Sequence, residues 1–189
     1  MKLTPKHVFI ATAVIAVLCM VLFDSKYWNC FQIIKNQMKC FKDKTSGKML
    51  KVPFFIAFVL PVFLAFATEW KVGITENIVN ILTVIISVLM GVFLASTPML
   101  VDIKKTVEQE KRPAWEVNLI NVLLKEIHYI IMFQVLICTV ILILCFFSVF
   151  SGVYLRFVSF LIYYLSYVML LNIFMLLKRL NAVFGKELE

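Results

Sequence analysis

Two histidines, five cysteines and eleven carboxylates are the side chains of this chain that could ligate a metal or attack a substrate. Their spacing argues against both. Cys19, Cys30, Cys40, Cys138 and Cys145 include no C-x-x-C pair, so neither a zinc ribbon nor a redox motif is indicated. His7 and His128 are far apart and at unrelated spacings to the cysteines, whereas a structural zinc needs four convergent ligands. There is no Gly-rich phosphate loop, no nucleophile elbow and no H-E-x-x-H run. A non-enzymatic protein without cofactor, metal or small-molecule substrate is the expectation. His128, beside Lys125 and Glu126, reads as an interfacial or hydrogen-bonded histidine. Cys19, Cys138 and Cys145 lie in apolar runs, where cysteine behaves as a small hydrophobe.

The elements that carry these residues are built for lipid. The chain is 62% hydrophobic, with a mean hydropathy of +0.96, while an ordinary soluble domain is roughly 45–50% apolar. Several apolar runs reach the ~17–25 residues that cross a bilayer as a helix. The fold class is therefore all-α: a polytopic membrane protein of four to five transmembrane helices, forming one domain over residues 1–189. The polar segments between the runs are too short for a separate soluble domain. The net charge of +8 sits in loops beside apolar spans, which speaks for lipid headgroups rather than direct binding of nucleic acid.

In chain order, residues 8–23 form a first apolar span behind Lys2 and Lys6. They have the basic and apolar regions of a signal peptide but no small-x-small cleavage pattern. Residues 26–42 alternate lysines with Trp28, Phe31, Ile34, Met38 and Phe41 at spacings of three and four. That is an interfacial amphipathic helix, with Lys35, Lys39 and Lys42 toward anionic headgroups. The lysine excess places Cys30 and Cys40 on the reducing side of the membrane. The second span, 53–69, contains Pro61, which predicts a kink. The third, 77–101, carries Ser87, Gly91 and Ala95 at spacings of four, a stripe that lets another helix approach closely. Pro98 predicts a bend near its end. The fourth and fifth spans cover 127–150 and 154–177, and Lys178, Arg179 and Lys186 close the chain. Asn80, Thr83, Ser87, Gln134, Tyr163, Tyr167 and Asn172 are polar residues within spans. They read first as interhelical hydrogen-bonding groups, of roughly 0.6 kcal/mol each.

The third span runs without a break into Asp102, Lys104, Lys105, Glu108, Glu110, Lys111 and Arg112. Pro113 reverses it, and an amphipathic stretch leads into the fourth span. Residues 102–126 thus predict a helical hairpin that continues out of the bilayer, its first arm reaching roughly 15 Å at ~1.5 Å per residue. Trp115, Leu119, Ile120, Leu123, Leu124 and Ile127 read as one apolar face, with Glu116, Lys125 and Glu126 largely off it. An apolar face outside lipid needs a cover. The predicted partner-binding residues are Lys104, Lys105, Lys111, Arg112, Trp115, Leu119, Ile120 and Leu123. Basic segments concentrate at 24–51, 102–125 and the C-terminus, so these lie in the cytoplasm by the positive-inside rule.

A basic interfacial helix, a proline-containing span, a short turn, then 81–101 running into 102–112 and back through 123–144 resembles small multi-span membrane proteins of bacterial anti-phage defence operons, the membrane subunits of the Kiwa system among them. The resemblance covers residues 48–180 and is one of pattern. It implies a homo-oligomeric inner-membrane sensor working with a cytosolic DNA-associated protein. It also implies four spans, so 8–23 is a departure. The function expected is a sensor or scaffold that oligomerises in the inner membrane and holds a cytosolic effector through its hairpin. The alternatives are a pore-forming effector that depolarises the cell, since the spans hold polar groups but no ion-pathway charges, and an accessory subunit of another membrane complex.

Overall fold

A computed structural model describes residues 30–42, 48–109, 113–151 and 156–187. These form five helices and no extended strand: α1 (Cys30–Lys39), α2 (Lys51–Lys71), α3 (Glu76–Gln109), α4 (Ala114–Ser151) and α5 (Arg156–Glu187). The last four are long and apolar enough to cross a membrane, as the composition predicts. Residues 8–23, and 26–29 of the amphipathic segment, lie outside the described residues.

α1 ends in a tight turn. The N–H groups of Cys40 and Lys42 bond the carbonyls of Gln37 and Lys39, at 3.0 and 3.1 Å. The chain then returns to itself, with Leu50 N–H donating to the Phe41 carbonyl at 2.7 Å, and α2 begins. Pro53 sits in its first turn, where a missing N–H costs nothing. The kink expected at Pro61 takes a particular form. Residues Phe55–Val59 are a π-turn, in which Leu60 N–H bonds Phe55 five residues back. Proline cannot bond the carbonyl four residues before it and clashes with it. A wider turn immediately upstream absorbs that defect while the helix axis continues. Pro61 is itself buried.

α3 runs through Pro98 as one helix. Its buried residues, Val79, Ile86, Phe93, Leu100 and Val107, recur at an interval of seven. That period makes a single left-handed seam, and α4 is the helix that fills it. Pro113 precedes α4 and its carbonyl accepts from Glu116 and Val117 N–H at 3.0 and 3.2 Å, which starts the helix.

α4 is the centre of the molecule: half of its apolar window is buried, against 17% for α2 and α3. α3, α5 and α1 all pack on it, and α2 packs on α5. Consecutive in the chain, α2 and α3 share only a short turn. Near that turn, Tyr163 Oη of α5 donates to the Val72 carbonyl at 3.2 Å, and Tyr167 Oη pairs with Thr68 Oγ1 at 2.8 Å. These tyrosines fasten α5 to α2, in line with the interhelical reading of the span polar groups.

Candidate functional site

The lengths of the helices define the site. α3, α4 and α5 have 34, 38 and 32 residues, roughly 51, 57 and 48 Å at ~1.5 Å per residue. α2 has 21, which about matches the ~30 Å hydrocarbon layer. The three longer helices therefore overreach the bilayer. Charges accumulate at one end of each: from Asp102 in α3, before Glu126 in α4 and after Lys178 in α5. At that end α5 accompanies the two helical arms of α3 and α4, so the stalk has three helices. Helix α5 does not stop with its apolar span near residue 177 but continues to Glu187. Leu176 and Val183 are buried and Leu180 packs against the core.

Packing within the chain changes what the stalk can offer. The apolar face expected to await a partner is divided. Ile120, expected among the partner-binding residues, is 0% exposed and belongs to the core with Leu124, Ile127, Val107 and Val183. Leu123 is half-buried against the same core. Trp115 stays 67% exposed and Leu119 36%. Val122, which the sequence reading omitted, is exposed as well. Trp115, Leu119 and Val122 form one stripe, and Ile120, Leu123, Leu124 and Ile127 a second, roughly 130° away at ~3.6 residues per turn. Leu123 is one turn from Leu119 and borders the first stripe, so burial, not the helical wheel alone, divides the two. Lys104 and Lys105 are exposed and lie 3.7 Å from Glu108 and from Asp102, surface pairs of small energetic weight. Lys111 and Arg112 fall outside the described residues.

At the root of the stalk is a polar seam in which Gln134 and Asn172 make interhelical bonds of the kind expected, and in which sequence reasoning missed Gln37 and the Glu126–Arg179 pair. Glu126 of α4 forms an ion pair with Arg179 of α5. Arg179 Nη2 also donates to the Cys40 carbonyl at 3.1 Å, so one guanidinium ties together α4, α5 and the end of α1. One step along, Gln37 Nε2 donates to Asn172 Oδ1 at 3.1 Å. Gln134 Nε2 donates to the Met169 carbonyl at 2.9 Å. In the sequence, Glu126 and Arg179 look like ordinary charges at span ends, and only their pairing distinguishes them.

The amphipathic helix docks by a face rotated from the one its pattern suggests, keeping Ile34 and Phe41 inward but not Phe31. Gln37 and Phe41 are buried, and Ile33 and Ile34 pack against the core, while Phe31 is exposed. Phe41 meets Phe54 and Phe58 edge-on at 6.2 and 5.5 Å between ring centroids. Lys35, Lys39 and Lys42 are exposed on the far side. Ser87, Gly91 and Ala95 are exposed on the flank of α3 away from α4. A Cβ at Gly91 would meet nothing within 4 Å, so no described helix of this chain uses the stripe. No protein-family model, curated protein or solved structure matches the chain.

Proposed function

We propose that this multi-pass membrane protein is a non-enzymatic sensor or scaffold subunit of the bacterial inner membrane. Its stalk lies in the cytoplasm and holds a soluble effector. The observation that carries this reading is the exposed stripe Trp115, Leu119 and Val122 on a helix segment beyond the apolar span. Apolar side chains aligned outside lipid favour a protein partner, and a tryptophan flanked by aliphatics is typical of the residues that dominate such contacts. Lys104 and Lys105 on the same stalk would steer an acidic partner. The resemblance to membrane subunits of anti-phage defence operons supports this assignment, with membrane lipids and further copies of the chain as the other partners. Lys35 and Lys39 on α1 and Lys42 in the turn after it are exposed, and anionic headgroups are their natural counterions.

The test is co-purification from the native host. Trp115→Glu and Leu119→Glu place charge on the exposed stripe without touching the core, so both proteins should accumulate in the membrane and recover the partner poorly. Full recovery by both variants would defeat the proposal.

A second reading, a pore formed by several copies, draws on Asn80 and Ser87, which are exposed within an otherwise apolar span. Ser87 Oγ already donates to the Thr83 carbonyl at 2.7 Å, which weakens it as a pore lining. A voltage-sensitive dye in expressing cells separates the readings: a pore depolarises, a scaffold does not.

A further inference from the structure

The corner where α1 gives way to α2 gathers lysines beside lipid-facing apolar side chains. Lys42 and Met49 pair there as an antiparallel bridge, and Leu50 N–H donates to the Phe41 carbonyl at 2.7 Å. Bridged residues lie ~5 Å apart and consecutive Cα atoms ~3.8 Å apart, so the Cα atoms of Lys42, Lys48 and Lys51 fall within about 13 Å of one another. All three side chains are exposed. Between Cys30 and Thr68 the described residues include no carboxylate, and Asp43 and Lys44 in the intervening loop cancel in charge. The corner is therefore net positive. Directly beyond Lys51, Val52, Phe55 and Ile56 are exposed and share one face of α2 at spacings of three and four. Because α2 about matches the hydrocarbon layer, Lys51 stands at headgroup level and this face lies among acyl chains.

We propose that this corner binds one anionic phospholipid, its phosphate shared by Lys42, Lys48 and Lys51 and its acyl chains lying along Val52, Phe55 and Ile56. The charge selects an anion, and the adjoining apolar face selects an amphiphile. A free phosphate or an acidic protein matches the lysines alone, since neither can enter the hydrocarbon layer to cover that face. Lys42 follows α1 and Lys51 opens α2, so a single headgroup fastens the end of one helix to the start of the next. This rests on the placement of α1 at the membrane surface proposed above, and turns a general counterion role into one defined site. It is independent of the partner-binding stripe, whose test reads a different surface.

Native mass spectrometry of the full chain, released from detergent micelles containing added phosphatidylglycerol, tests the site. One lipid per chain should be retained, and phosphatidylcholine with the same acyl chains should be retained several-fold less. Equal retention of the two lipids overturns the proposal, and this comparison needs no variant. Lys48→Gln with Lys51→Gln should then lower phosphatidylglycerol retention several-fold. Lys35→Gln with Lys39→Gln removes the same charge from the exposed side of α1 and should lower it less than twofold. These side chains are exposed, so both variants should keep the parent's helicity. Equal losses in the two pairs would reveal a diffuse field, overturning the defined site while leaving the general counterion role standing. Retention unchanged by the Lys48 and Lys51 pair overturns it as well. Millimolar inorganic phosphate should not displace the lipid; displacement would make this a site for soluble anions and defeat the assignment to a phospholipid.

Discussion

Glu126 and Arg179 lie 53 positions apart, and each side chain is only 17% exposed. A partly buried ion pair is weak evidence of net stabilisation, since removing two charges from water offsets most of their attraction. Removing one partner is another matter, because the survivor keeps its desolvation cost. Arg179→Leu or Glu126→Leu alone should each lower stability by about 2 kcal/mol, read as a fall in Tm of the detergent-purified protein. The double Leu variant should fall by less than the two singles combined. A double variant that loses the full sum would show that the two groups act separately. The reason that this pairing is not legible in the sequence is plain at this scale. Charges at the ends of apolar spans ordinarily snorkel to water, and nothing local marks the two that instead meet each other.

Among the elements, α1 illustrates how a periodic pattern can be right in kind and rotated in detail. Spacings of three and four correctly announce an amphipathic helix, but its inward face is centred on Gln37 rather than on the apolar line through Phe31. A hydrogen bond to Asn172 and the aromatic contacts of Phe41 decide the rotation, and neither partner is a neighbour in the chain. Phe41→Ala should remove the main apolar anchor of α1 at a cost of about 3–5 kcal/mol. The expected consequence is faster tryptic cleavage after Lys35 and Lys39 of α1 in limited proteolysis while α3, α4 and α5 remain protected. Equal cleavage rates in the variant and the parent would mean that α1 is held without Phe41. For α2, the prolines in the sequence announce a defect, and the structure converts it into a π-turn one step upstream. Proline dictates that a bond is lost; the neighbouring helices decide how the loss is absorbed.

For the molecule as a whole, the stalk and the free flank of α3 are the two surfaces to be explained. If the basic loops are cytoplasmic, single cysteines in a cysteine-free background should report it. Gln109→Cys should react with a membrane-impermeant maleimide only after the cells are opened, and Lys71→Cys in intact spheroplasts. The reverse pattern would invert the topology and remove the stalk from the cytoplasm. Gly91→Leu tests the flank. Nothing within the chain opposes a side chain there, so the variant should keep the parent's helicity and membrane yield. If copies of the chain pack along Ser87, Gly91 and Ala95, light scattering of the purified variant should give a smaller assembly than the parent. An unchanged mass would leave that stripe facing lipid.

Composition and hydrophobic run length alone determined that this is an all-α chain with several bilayer-length helices, because lipid demands that every backbone polar group be bonded within its own helix. The spacing of charges likewise determined where each apolar run gives way to a polar helix end. Which apolar side chains of the stalk remain available was decided only in three dimensions, where packing within the chain covers Ile120 and leaves Trp115 exposed. The same holds for the amide and ion-pair seam. Helical periodicity is a local property that fixes which residues share a face, whereas the neighbour against which that face rests is set by chain return over long separations.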